Sequence, residues 1–185
     1  MSYARALDKA WADLKGLAGE KIFPVKFLAD TYSVDAAKKE VLSDSCNVPA
    51  KEYVSLITLH YIIRKIQLKE LPKPCGEWVD FNALEGGEGY YPAFKKRTVD
   101  RILKKYGSAP EGLLKASERF SSQKSDKGDA GVIIYPFEYV PIMITLYRPD
   151  EEFGPDANIL YDRTISDIFC TEDIVVLTEI VVHQL

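Results

Sequence analysis

Gly86, Gly87 and Gly89 stand shortly ahead of three consecutive cations, Lys95, Lys96 and Arg97. Backbone N–H groups at the mouth of a helix attract anions, and nearby cationic side chains add to that attraction. The spacing matches neither a G-x-x-x-x-G-K-[ST] loop nor a G-x-G-x-x-G turn, and Glu85 and Glu88 would repel a phosphate. A flexible turn leading into a helix therefore accounts for the glycines. Lys95 keeps a functional reading open. On one continuous helix over residues 92–106 it shares an azimuth with Val99, Ile102 and Tyr106. A lysine there must snorkel, meet a carboxylate or face a cleft. Glu77, Asp80 and Glu85 are the carboxylates nearest in sequence.

Other chemistry has little support in the spacing. His60 and His183 are the only histidines, and H-E-x-x-H is absent. His60 falls on an apolar helix and reads as a satisfied interior histidine. His183 falls in a last helical turn, where a cation suits the dipole. No metal site is expected. No G-x-S-x-G elbow occurs. Cys46, Cys75 and Cys170 are dispersed, with no C-x-x-C, so they read as reduced thiols of a cytoplasmic protein rather than a disulfide framework. Cofactors are left undetermined.

Net charge is −4. Tyr90, Tyr91 and Phe94 beside a basic face of Arg97, Arg101 and Lys104 would suit single-stranded nucleic acid, but the acidic balance and lack of a recognition motif argue for a solvated face. Charge is unevenly spread. Residues 131–185 hold Arg148 and Arg163 against ten carboxylates. Such an acidic third reads as solvated loops, or as a docking surface for a basic partner. Residues 1–5 run into an amphipathic pattern with no apolar leader. The longest apolar runs, at 142–146 and 174–177, are far below the roughly 20 residues of a membrane span.

These residues need elements to position them. Tyr3, Leu7, Ala10, Trp11 and Leu14 recur on one face of a helix, with Gly16 or Gly19 as its stop. Residues 21–28 read as an edge strand, 30–35 as a turn region and 39–43 as a weak strand. Residues 50–68 hold no Gly or Pro and are apolar around most of the circumference, which predicts a largely buried helix. Helices are expected over 92–106, begun by Pro92, and over 110–120, with a polar loop over 121–129. Residues 132–135, 142–147 and 158–161 are short β-branched or aromatic strands, the first two an antiparallel pair. Thr171 reads as the N-cap of a final helix running to about His183. Helix-rich sequence followed by strand-rich sequence predicts an α+β class. The expected architecture is one domain over residues 1–185, a mainly antiparallel sheet packed against several helices, with the early strands joining the later sheet.

Gly76-Glu77-Trp78, Gly86-Gly87, and Tyr91-Pro92-Ala93-Phe94 with Arg97 form a distinctive stretch. Gly128-Asp129-Ala130, Val140-Pro141, Asp150-Glu151-Glu152-Phe153 and Thr171-Glu172-Asp173 continue it. This pattern resembles an uncharacterised prokaryotic domain-of-unknown-function family, common in anaerobic bacteria and archaea, over most of the chain from about Trp11. Some relatives carry an extra cysteine-rich iron–sulfur segment, which would imply a redox or corrinoid-related setting. This sequence lacks that segment, and the resemblance implies no established activity and no catalytic residues.

Three readings follow. The first is a binding module for an anionic small molecule or a protein partner, its site built from Glu77, Trp78, Tyr91, Lys95 and Arg97. The second is an enzyme acting on a phosphate- or carboxylate-bearing small molecule, with Glu77 or Asp80 as general base. The third is an interaction module using the acidic third. The binding module is the leading reading.

Overall fold

The computed structural model describes residues 3–185; Met1 and Ser2, where the amphipathic opening is read to begin, lie outside the described residues. The class is α+β, as the sequence predicts, and every strand pairing is antiparallel. Contacts cluster into two compact units, Met1–Pro72 and Lys73–Leu185.

The first unit opens with helix α1 (Ala4–Ala18), which buries Ala10, Trp11 and Leu14 on the expected stripe. It stops at Gly19, whose φ of 69° is a conformation that glycine adopts without a Cβ penalty. Strands β1 (Ile22–Phe27), β2 (Asp30–Asp35) and β3 (Glu40–Ser43) follow as a three-stranded sheet in that order. The early strands therefore form a sheet of their own instead of joining the later one. Residues 30–35 are its middle strand, not a turn. The acids at the strand's two ends are both hydrogen-bonded nearby. Asp30 accepts from Ser43 Oγ, and Asp35 accepts from the N–H groups of Ala37 and Lys38, each at 3.0 Å. Between them Thr31, Tyr32 and Val34 supply strand-forming side chains. Helix α2 (Glu52–Leu68) packs against α1. Ser55 to Leu59 and Tyr61 to Ile63 are buried in succession, as the unbroken apolar run requires.

The second unit begins with β4 (Trp78–Asp80) and a 3-10 turn (Phe81–Ala83), then α3 (Gly87–Arg97), α4 (Val99–Tyr106) and α5 (Glu111–Ser117). Strands β5 (Ser122–Ser125), β6 (Ala130–Phe137), β7 (Val140–Tyr147) and β8 (Asp156–Asp162) come next, before α6 (Ile165–Ile168) and α7 (Thr171–Gln184). The sheet order is β4-β8-β7-β6-β5. β6 and β7 form the expected hairpin, with Val132 opposite Ile144. The polar stretch after α5 supplies the edge strand β5, where Ser, Gln and Lys side chains are tolerated because one edge faces solvent. Val132, Ile134, Ile142, Ile144, Ile159 and Tyr161 alternate onto one buried face. Met143 and Thr145 point the opposite way and are also buried, so β7 is covered on both faces. Tyr161 lies 2.8 Å from Thr178 Oγ1 of α7, which gives its buried hydroxyl a partner.

Candidate functional site

The segment carrying the glycines and cations is fixed at its start by Asp162, the last residue of β8. Its carboxylate accepts from the N–H of Gly76 at 2.7 Å, the N–H of Cys75 at 3.2 Å and the Thr164 hydroxyl at 2.7 Å. The Thr164 N–H adds a bond at 3.1 Å. Burial works to raise this carboxyl's pKa, but these donors outweigh it and hold it below the ordinary value. Asp162 was not singled out from the sequence. The local signal was the Asp-x-Thr spacing of Asp162 and Thr164, which favours a side-chain-capped turn.

From this anchor the proposed bases take structural positions. Glu77 is exposed and pairs with Arg163 at 3.1 Å. Asp80 accepts from Ala83 N–H at 3.1 Å and from Asn82 Nδ2 at 3.3 Å, so it caps the 3-10 turn. Trp78 opens β4 opposite Asp162 and is half-buried.

The glycines have steric work. Gly86 has φ 69°, the left-handed conformation. A Cβ on Gly87 would lie 1.9 Å from the Phe81 carbonyl oxygen, so only glycine lets α3 pass the 3-10 turn. The close approach brings Phe81 and Phe94 into a parallel stack, with ring centroids 4.0 Å apart. Tyr91, half-buried, has its ring 6.2 Å from that of Phe94.

Pro92 does not begin the helix; it lies inside α3, which starts five residues earlier at Gly87. Nor does one helix continue to Tyr106. Thr98, fully buried with φ −123° and ψ −74°, separates α3 from α4. Its hydroxyl donates to the Phe94 carbonyl at 2.8 Å. The shared azimuth of Lys95 with Val99, Ile102 and Tyr106 requires an uninterrupted helix. The break removes it, and Lys95 is exposed with no ion pair among the described residues.

Arg97 points elsewhere. Its guanidinium lies 3.2 Å from Glu179 Oε1 on α7 and donates to the Tyr90 hydroxyl at 3.1 Å. The hydrogen bond to Glu179 holds the guanidinium above its ordinary pKa, with the Tyr90 hydroxyl adding to the effect. Around this pair, Ala93, Lys96, Arg97, Arg101, Glu179 and His183 line an open cleft of about 530 Å³. His183 Nδ1 lies 2.7 Å from the Glu179 carbonyl. A carbonyl can only accept, so Nδ1 bears the proton and Nε2 is left to other partners. Of the five residues named from the sequence, Arg97 alone lines this cleft. The sequence reads Lys96 and Arg101 only as neighbouring cations and a basic face, and does not group Glu179 and His183 with Arg97, because α7 lies some 80 residues away along the chain.

Metal ligation finds no cluster of three or more His, Cys, Asp or Glu among the described residues. His60 is half-buried and partnered on α2. The cysteines are free. Cys170, not Thr171, is the N-cap of α7; Thr171 Oγ1 donates to the Glu85 carbonyl at 2.8 Å. Cys170 reaches the surface and lines a second cleft with Glu85, Ser166 and Glu172. Burial there, with the Asp173 and Glu172 carboxylates, pushes the thiol up to about 11. That opposes the usual activation of a cysteine at a helix N-terminus. No helix among the described residues is long and apolar enough to cross a membrane.

A family model described as "Domain of unknown function (DUF3786)" matches residues 8–184, running through both units, and the chain belongs to that family. No curated protein and no solved structure matches it.

Proposed function

We propose that this DUF3786 domain is a binding module for a small anion, held in the cleft formed by α3, α4 and α7. One observation carries the reading: Lys96, Arg97 and Arg101 line one cleft against a single carboxylate, Glu179, in a chain of net charge −4. Lys96 and Arg101 are exposed and make no ion pair among the described residues, so their charge is not spent internally. Arg97 is oriented by Glu179 and Tyr90, which lowers the entropy lost when it meets a ligand. A phosphate or a compact polycarboxylate fits such a cluster, since Arg presents paired donors to either. Glu77, Trp78, Tyr91 and Lys95 belong to the segment that carries Arg97 but do not line the cleft. In this reading the module works in the cytoplasm on a diffusible ligand, and its acidic balance argues against nucleic acid.

The test is a titration with sodium phosphate, pyrophosphate and citrate against sodium chloride at matched ionic strength, followed by thermal shift and amide NMR. Saturable stabilisation by one of these anions is expected, lost in the Lys96→Gln/Arg101→Gln double variant, whose own melting temperature stays unchanged. Equal responses to chloride, or an undiminished response in the double variant, would refute the reading.

A further inference from the structure

The first unit contains a cleft of about 480 Å³ with a different chemistry. Ligand sites commonly occupy roughly 300–1,000 Å³ and combine an apolar wall with a few polar groups. Here the apolar wall comes from Leu7 and Trp11 of α1, Val41 of β3, and Pro49. Trp11 is 7% exposed, so only a margin of its indole is open to a visitor.

The rim holds both signs of charge. Lys39, Glu40 and Glu52 line it, beside Lys38. Lys38 is already engaged by Asp35 at 3.6 Å, whereas Lys39 makes no ion pair among the described residues. The backbone of Lys39 is also unusual, with φ 55° in the region that favours glycine. A glycine would relax this last position of the β2–β3 turn, so the lysine is kept at a conformational cost. On the other side, α2 begins after Lys51, whose side chain has no acceptor, and its first turn has no side-chain cap. Glu52, Ser55 and Ala50 bring that first turn to the cleft.

A purely anionic ligand would meet Glu40 and Glu52, and a purely cationic one would meet Lys39 and the helix dipole. A ligand with a carboxylate, an ammonium and an apolar body satisfies all three features at once. We propose that this cleft binds a free apolar α-amino acid of aromatic size. Its carboxylate is met by Lys39 and the first turn of α2, its ammonium by Glu40 and Glu52, and its side chain by Trp11 and Val41. The site is separate from the basic cleft of the second unit, and neither proposal needs the other.

Calorimetry on the full chain with L-phenylalanine, 3-phenylpropanoate and 2-phenylethylamine tests this directly. The Trp11 indole N–H resonance, assigned through a Trp78→Phe variant, reports the location. L-phenylalanine should bind saturably and move that resonance. Each singly charged analogue should bind about tenfold more weakly or worse, for the loss of one charge-assisted contact. Lys39→Gly supplies a variant safe for folding, because glycine relieves the left-handed backbone. Its melting temperature should not fall, while its affinity for L-phenylalanine should drop about tenfold, as should that of Glu40→Gln. Absence of saturable binding would overturn the proposal. So would an analogue binding as tightly as L-phenylalanine, or full affinity in Lys39→Gly.

Discussion

Gly87 approaches Phe81 so closely that a methyl group on Gly87 would fall 1.9 Å from the Phe81 carbonyl oxygen. The atom in the way is backbone and cannot rotate aside. Gly87→Ala should therefore cost about 3 kcal/mol, in the range of overpacked sites. Gly89, two residues on, has nothing within 4 Å of its added Cβ. Being helical, Gly89→Ala should stabilise by about 0.5–1 kcal/mol. Urea denaturation of both variants checks the contrast, and equal effects would undo the assignment of steric work to Gly87.

Asp162 ties Cys75, Gly76 and Thr164 to the end of β8. Burial alone would raise its pKa; the donors reverse this, and its folded-state value lies below the ordinary 3.8. A depressed carboxyl binds protons less readily when folded. Its contribution is thus complete above the unfolded-state value and is lost as pH falls through the folded one. Asp162→Asn should cost about 2 kcal/mol at neutral pH and flatten the acid limb of the stability profile. Denaturation midpoints between pH 2 and pH 7 measure both effects, the range being set to bracket that carboxyl's titration.

Cys170 should be a poor nucleophile despite its place at the start of α7. With its thiol pushed up to about 11, little thiolate exists near neutrality. In a Cys46→Ser/Cys75→Ser chain, alkylation by iodoacetamide should be slow at neutral pH and should keep accelerating as pH rises towards that value. A rate plateau near neutrality would contradict the effect of its burial.

Trp11 closes the apolar stripe of α1 and is 7% exposed. Trp11→Ala should cost about 3–5 kcal/mol through lost burial and the cavity left behind. Chemical denaturation provides the check; a loss under about 1 kcal/mol would place the indole outside the packed interior.

Arg97 and Glu179 form a partly exposed pair 3.2 Å apart. Exposed pairs contribute little to folding because water and salt screen them. Arg97→Gln should accordingly leave the melting temperature within error of the parent while weakening phosphate or citrate binding. A large drop in melting temperature would assign Arg97 a structural role instead.

What the sequence determined by itself was local. The spacing of Ala10, Trp11 and Leu14, the unbroken apolar run of α2 and the β-branched stretches of β6 and β7 each encode one element, because helix and strand periodicities are properties of neighbouring residues. Together they sufficed for the α+β class, and the signature from Gly76 to Asp173 sufficed for the family. Only the tertiary structure decided where functional side chains point. The wheel that placed Lys95 beside Val99 assumed continuity through Thr98, and the backbone leaves the helix at that buried threonine, with φ −123° and ψ −74°, in a way its own propensity does not announce. The early strands satisfy their hydrogen bonds within one sheet, a pairing choice that composition cannot express. Arg97 meets Glu179 and Gly76 meets Asp162 across more than 80 residues. Contacts of that separation follow from how whole elements pack, so no local pattern records them.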